Sequence, residues 1–228
     1  MPPGRKPILC YVTGRAAFAG AHSQTGEFTG PSKQILRDRI RGAAAAGVDW
    51  IQIREKDLET RDLVELARQA VADTRGTRTR ILLNDRLDVA LTAAAGGIHL
   101  GEKSLPLDAV VQWRRWAGRE DFQIGVSRHS LEAACAAGSA GADYVIFGPV
   151  FATPSKAAFG APQGIENLRA VCREIKIPVI AIGGVTLENA GSCMAAGAAG
   201  VAAIRLFQES KSVIEVVTRL KSRRDERT

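Results

Sequence analysis

Polar side chains in this 228-residue sequence gather where apolar runs stop. Gln52, Arg54, Glu55 and Lys56 close the run VDWIQI; Asn84, Asp85 and Arg86 close RILL. His99 lies at the end of GIHL, and Ser127, Arg128 and His129 follow FQIGV. Arg54 and Lys56 alternate, so an extended backbone sets them on one face. Two cations so placed neutralise phosphate oxygens, and the carboxylate of Asp85 among them suits a magnesium ion bridging protein and phosphates. The competing reading makes Arg54, Glu55, Lys56 and Asp85 a surface ion-pair network of little energetic benefit. His99 and His129 suit proton transfer near neutral pH, or simply fill space and satisfy backbone groups.

A second polar cluster comes later in the chain. FGPVFATPSKAAFGAPQG, residues 147–164, begins as a strand and opens into a loop holding Thr153, Ser155 and Lys156. Gly183 and Gly184 follow PVIAI, and GVAAI leads through Ile204 to Arg205. Backbone amides approach an anion closely only where no Cβ intervenes. Hydroxyls, a cation and bare amides together describe a phosphate site.

The elements that must position these groups are legible from spacing. Apolar runs at 8–13, 48–53, 80–83, 97–100, 122–126, 143–148, 178–183 and 200–204 are eight candidate strands. Helical patterns such as RDLVELARQAVADT, SLEAACAAGSAGA and ENLRAVCREI lie between them, with apolar residues returning every three or four positions. Parallel strands need helical crossovers and, buried on both faces, read as continuous apolar runs. The expected fold is α/β, one (β/α)8 TIM-barrel domain over residues 1–228 with the barrel at about 8–223 and a charged tail. Such a barrel carries its site at the C-terminal strand ends, and its phosphate site after strands seven and eight. That placement favours function over a surface network for the charges above. The stretch 14–30, rich in small residues, is expected to cover the mouth or to be mobile.

Composition narrows the partners. The net charge of +7 is spread along the chain and aromatics make up only 5%, so anionic small molecules are expected rather than nucleic acid. No run is long enough for a membrane span or a signal peptide, which predicts a cytoplasmic protein. Cys10, Cys135, Cys172 and Cys193 lack CxxC spacing and are expected as reduced, buried thiols. Trp50, Trp113 and Trp116 are expected to pack. Oligomeric state is open, a homo-oligomer among the possibilities.

YVTG, IQIREKD, LLNDRLDVA, GIHLGEKSLP, IGVSRHS, GADYVIFGPVFATPSK, IPVIAIGG and GAAGVAAI, in that order over residues 8–207, resemble the thiamine phosphate synthases and their relatives the thiazole tautomerases. The resemblance implies a TIM barrel and a magnesium-dependent transfer that joins a pyrimidine pyrophosphate to a thiazole phosphate. It further implies that Gln52, Arg54, Lys56, Asn84, Ser127 and Lys156 serve the pyrophosphate, with magnesium on Asp85. Thr153, Ser155 and the Gly183–Gly184 turn would hold the thiazole phosphate, with Ile204 and Arg205 at the neighbouring strand end. Lys56, Ser127, His129 and Lys156 are the catalytic candidates, and His99 a further binding candidate.

Three positions depart from the synthase pattern. Ser104, beside Lys103, stands where the family has a second acidic magnesium ligand; Arg205 and Arg128 replace small residues. HLGEKSLP, RHSLEAA and TPSKAAFGAPQG resemble the tautomerase branch, in which His129 would be the acid–base group. REKD and NDR, in contrast, retain cations and an acid that a proton shuttle does not need. The expected activity is therefore the synthase, with the tautomerase, or a barrel that binds phosphorylated ligands without turnover, as alternatives.

Overall fold

The computed structural model of the chain describes residues 6–15, 31–153 and 161–222. Eight parallel strands alternate with helices: β1 (Ile8–Val12), α1 (Pro31–Ala45), β2 (Trp50–Ile53), α2 (Thr60–Asp73), β3 (Arg80–Asn84), α3 (Leu87–Thr92), β4 (Gly97–Leu100) and α4 (Leu107–Trp116). Then come β5 (Gln123–Arg128), α5 (Leu131–Ser139), β6 (Tyr144–Phe147), α6 (Gly164–Glu174), β7 (Val179–Ile182), α7 (Ala190–Ala195), β8 (Gly200–Ala203), α8 (Arg205–Gln208) and α9 (Val213–Ser222). Each strand pairs with the next and β8 pairs with β1, closing the barrel. The expected (β/α)8 fold is the observed one.

Because side chains alternate along a strand, one sequence supplies two cores. Leu9, Tyr11, Ile51, Ile53, Ile81, Leu83, Val145 and Phe147 face the helices in the larger core. Cys10, Val12, Leu82, Tyr144, Ile146, Ile180 and Ala202 fill the barrel interior. Helices meet the outer core through stripes at helical spacing, as Leu63, Leu66, Ala67 and Ala70 do on α2. The Arg37–Asp73 ion pair ties α1 to α2. Asp73, held by that guanidinium, sits below the ordinary carboxyl range.

Several expectations need correction. The fifth strand does not stop at Val126 but continues through Ser127 and Arg128, which pair with Ile146 and Phe147 of β6. Ser127 is therefore fixed by the ladder and is not a loop residue. Trp50 and Trp113 pack as expected, against Tyr144 and Phe122 respectively. Trp116 does not: at the last position of α4 it is 87% exposed, past the stripe of Leu107, Val110 and Val111 that faces the core. All four cysteines are unpaired, yet only Cys10 and Cys193 are buried; Cys135 and Cys172 are partly exposed. Among the described residues no helix is long and apolar enough to cross a membrane. The expected cover at 14–30 falls outside the described residues apart from Gly14 and Arg15.

Candidate active site

One polar cluster is built on β2, β3 and the segment after β4. Gln52 faces inward and is buried, and its amide donates to Asn84 Oδ1 at 2.8 Å. Asn84 donates in turn to Asp85 Oδ2 at 2.7 Å. Asp85 Oδ1 accepts from the Gly101 amide at 3.1 Å and from the Ser104 hydroxyl, which itself accepts from Gly101 N–H at 2.6 Å. Partial burial alone would raise the Asp85 carboxyl, but the bonds from Ser104 and Gly101 and the charge of Lys56 outweigh it, so the group sits below its ordinary value. It is a pre-ionised carboxylate held in place from three sides.

The surface-network alternative for this region does not describe what is there. Glu55 is only 4% exposed, accepts the Arg15 backbone N–H at 3.0 Å and lies 3.6 Å from the Arg15 guanidinium. Burial raises its carboxyl, partly offset by a hydrogen bond from Thr13. The Thr13 hydroxyl also accepts the backbone N–H of Arg54 at 3.0 Å, so the end of β1 pins the start of the cationic segment. Among the described residues, Arg54 and Lys56 enter no ion pair. Arg54 is half-buried and Lys56 exposed, two positive groups next to the Asp85 cluster and available to an anion.

On the adjoining strands the pairing sets His99 beside Gly125, and Gly125 beside Tyr144. A Cβ at Gly125 would lie within 1.9 Å of the Tyr144 ring, so only glycine lets the phenol cross β5 to reach β4. Tyr144 Oη and His99 Nδ1 are 3.1 Å apart, and His99 Nε2 and Ser127 Oγ 2.8 Å. His99 is 2% exposed, and burial pushes its pKa down to about 3, with Arg128 and Arg54 adding to the fall and Asp85 opposing it. The ring is neutral and both nitrogens are engaged by protein, so neither is open to a ligand. His129 is different: Nδ1 contacts the Gly148 carbonyl, which can only accept, so Nδ1 carries the proton. Its Nε2 stands 4.0 Å from Glu102 Oε1 in a side chain 36% exposed.

The second cluster lies across the mouth, on β7 and β8. Gly183 and Gly184 both have positive φ, 94° and 64°, and a Cβ on Gly184 would come within 2.5 Å of Ala152 O. The turn is thus pressed against the segment after β6, fastened by Phe151 N–H to Gly183 O at 3.0 Å and by Asn189 to Gly184 O at 2.9 Å. The amides of Gly184 and Val185 donate to no described residue. Arg205, the first residue of α8, is exposed and its guanidinium reaches Thr153 Oγ1 at 3.4 Å. Ile204 precedes it, half-buried at the rim. Ser155 and Lys156 lie outside the described residues.

The donor set bears on magnesium. Among the described residues no group of three or more His, Cys, Asp or Glu side chains converges. Asp85 Oδ1 already accepts two hydrogen bonds, whereas Oδ2 accepts one and keeps a lone pair. Ser104 Oγ adds a hard oxygen at the same point. These residues fit a magnesium ion held chiefly by phosphate oxygens and water, with one carboxylate from the protein, the way magnesium is often bound beside phosphates.

Sequence reasoning passed over two residues that organise this end of the barrel. Thr13 was legible as the first polar residue after the β1 run. Tyr144 carried no signal, because tyrosine in an apolar run reads as an ordinary strand former.

A closed (β/α)8 barrel with cations, a fixed carboxylate and a glycine turn at the C-terminal strand ends is the architecture of a barrel enzyme acting on phosphorylated small molecules. The sequence model of the thiamine monophosphate synthase family matches residues 27–207, and the chain belongs to that family. It is 50% identical over 165 residues to a putative thiamine-phosphate synthase of Geobacter sulfurreducens, covering 72% of this chain and 76% of the relative. It is 41% identical over 182 residues to the thiamine-phosphate synthase of Moorella thermoacetica, covering 80% and 85%. Among solved structures, thiamine phosphate pyrophosphorylase from Pyrococcus furiosus superposes with a TM-score of 0.78 at 29% identity, over 96% of this chain and 95% of that one.

Proposed function

We propose that this chain is a thiamine-phosphate synthase: it joins a hydroxymethylpyrimidine pyrophosphate to a thiazole phosphate and releases pyrophosphate. The observation that carries the reading is the pairing of two anion-directed clusters on opposite sides of one barrel mouth. Gln52, Asn84, Asp85, Ser127, Arg54 and Lys56 make up one; the Gly183–Gly184 turn, Thr153 and Arg205 make up the other. A reaction with two phosphorylated substrates needs both.

In this reaction the bond from the pyrimidine methylene carbon to pyrophosphate oxygen breaks, and the electron pair leaves with the pyrophosphate. The thiazole nitrogen then donates its lone pair to the methylene carbon. No proton need move at the reacting atoms, so this chain's task is to stabilise charge and to align. Arg54 and Lys56 meet the growing charge on the leaving group, Ser127 donates a hydrogen bond to it, and Gln52 and Asn84 keep Asp85 in place. Lys156 and Ser155 join their respective clusters by resemblance. The amides after β7 and Arg205 fix the thiazole phosphate and so aim its nitrogen. Magnesium, held through Asp85 with Ser104 beside it, supplies neutralisation of pyrophosphate oxygens when bound. The unpaired cysteines are consistent with a reducing cytoplasm, where we place the protein.

Incubating the purified chain with both phosphorylated substrates and magnesium should yield thiamine phosphate and pyrophosphate in equal amounts. No product at any magnesium concentration would reject the proposal. One observation favours a second reading: His129 is partly exposed at the rim, with Nδ1 donating to the Gly148 carbonyl and Nε2 in no hydrogen bond among the described residues. If His129→Ala abolishes aromatisation of a thiazole carboxylate phosphate, and that reaction runs without magnesium, the tautomerase is the activity.

A further inference from the structure

The barrel interior contains a chain of hydrogen bonds whose direction is decided by one buried phenol. Tyr144 is fully buried, and its hydroxyl has a single hydrogen-bond partner among the described residues, His99 Nδ1. A phenol proton left without an acceptor in such a place is costly, whereas His99 Nδ1 is an acceptor within reach. Tyr144 must therefore donate, and Nδ1 must be the unprotonated nitrogen. A neutral imidazole carries one proton, which then resides on Nε2. Nε2 stands 2.8 Å from Ser127 Oγ and donates to it. With its oxygen accepting from the ring, Ser127 has its own hydroxyl proton free.

We propose that Tyr144 and His99 are positioning residues that set Ser127 as an obligatory hydrogen-bond donor to an anionic oxygen of the substrate. The opposite tautomer would have Ser127 spend its proton on Nε2 and present only lone pairs to the mouth, which repel a phosphate. A charged ring would donate from both nitrogens and again strand the phenol proton, so it is excluded on the same ground. The same arrangement explains why β5 carries Gly125 at this level: any side chain there would cut the phenol off from the ring. The inference rests on the reading of Ser127 as a ligand-facing group, but the tautomer can be tested without it.

The test begins with 15N-histidine-labelled full-length wild type at pH 7, its His99 signals assigned against a His99→Gln variant. A pyridine-like shift at Nδ1 and a pyrrole-like shift at Nε2 are expected; a protonated Nδ1 overturns the proposal. The second arm is a double-mutant cycle on kcat/KM for the pyrimidine pyrophosphate, repeated as affinity for inorganic pyrophosphate by calorimetry. Ser127→Ala should lose roughly 10- to 100-fold, as expected for a bond to a charged group. Tyr144→Phe should lose about fivefold in the wild-type background and less than twofold when Ser127 is already alanine. Equal losses in both backgrounds would mean that Tyr144 only supports the fold, and would overturn the assignment. If Tyr144→Phe does not fold, the wild-type tautomer decides alone. Absence of thiamine phosphate formation with an Nε2-protonated His99 and intact pyrophosphate binding would reject the synthase reaction and leave the relay standing.

Discussion

Replacing Ser104 by aspartate tests how the site handles a metal. The Ser104 hydroxyl is in direct hydrogen-bond contact with Asp85 Oδ1, so Ser104→Asp sets a second carboxylate roughly 4 Å from the first. At an effective dielectric near 20, two unit charges at that distance repel by about 4 kcal/mol. Both residues are partly exposed, and discounting for solvent leaves about 1–2 kcal/mol. Without magnesium that repulsion should lower the melting temperature by roughly 2–8 °C for a chain of this size. One carboxyl of the pair should also take up a proton more readily. With magnesium the sign should reverse, because an ion held by both carboxylates would relieve their repulsion, and relief of about 1.4 kcal/mol is worth about a factor of ten in affinity. Titrating magnesium against the rate of thiamine phosphate formation should give a half-saturating concentration about tenfold lower than wild type. The variant should also gain more melting temperature from added magnesium than wild type does. Asp85→Asn should move the half-saturating concentration upwards. If wild type and both variants share one magnesium dependence and one melting response, Asp85 is not where the ion binds and the argument from its open lone pair fails.

Lys56→Ala should cut turnover by about 100-fold, the scale of losing one charge-stabilising group, while shifting the melting temperature by less than about 2 °C, since this exposed side chain supports no ion pair among the described residues; a wild-type rate would remove it from the pyrophosphate site. Gly184→Ala should destabilise the fold by more than about 1 kcal/mol in chemical denaturation, through its left-handed backbone and the contact with Ala152 O, and should raise KM for the thiazole phosphate more than for the pyrimidine substrate. Acid stability should carry the signature of His99. Its folded pKa lies near 3 against about 6.5 unfolded, so the unfolded chain takes up a proton first and stability falls as pH drops below 6.5. By pH 4.5 this group alone accounts for about 2–3 kcal/mol. Asp85, whose folded pKa is depressed, adds to the loss only below about pH 4. Denaturation of wild type and His99→Gln between pH 7.5 and 4 should show a shallower decline in the variant, and parallel curves would contradict the buried neutral ring.

Strand number, order and parallel pairing follow from sequence alone because each strand is buried on both faces and each crossover helix carries its own apolar stripe; ILCYV and YVIF leave little else to be. The candidate site was legible for a related reason. Gln52, Arg54, Asn84, Asp85 and Gly183 interrupt apolar runs at the end where such a barrel opens, and a polar residue there has few structural duties. What the sequence could not settle is where each polar atom finds its partner. Glu55 sits between Arg54 and Lys56 in the chain, yet the structure turns it to the Arg15 amide and the Thr13 hydroxyl, because those groups come from β1 and its exit and meet β2 only when the barrel closes. His99 was a histidine with two possible roles until Tyr144, 45 residues later, crossed the gap left by Gly125 and engaged one of its nitrogens. Register decides such contacts. Parallel pairing sets residues from distant parts of the chain at one height, and alternation sends every second one inward, so hydrogen-bond partnership, burial and the resulting shifts in proton affinity belong to the closed barrel and to no local stretch of sequence.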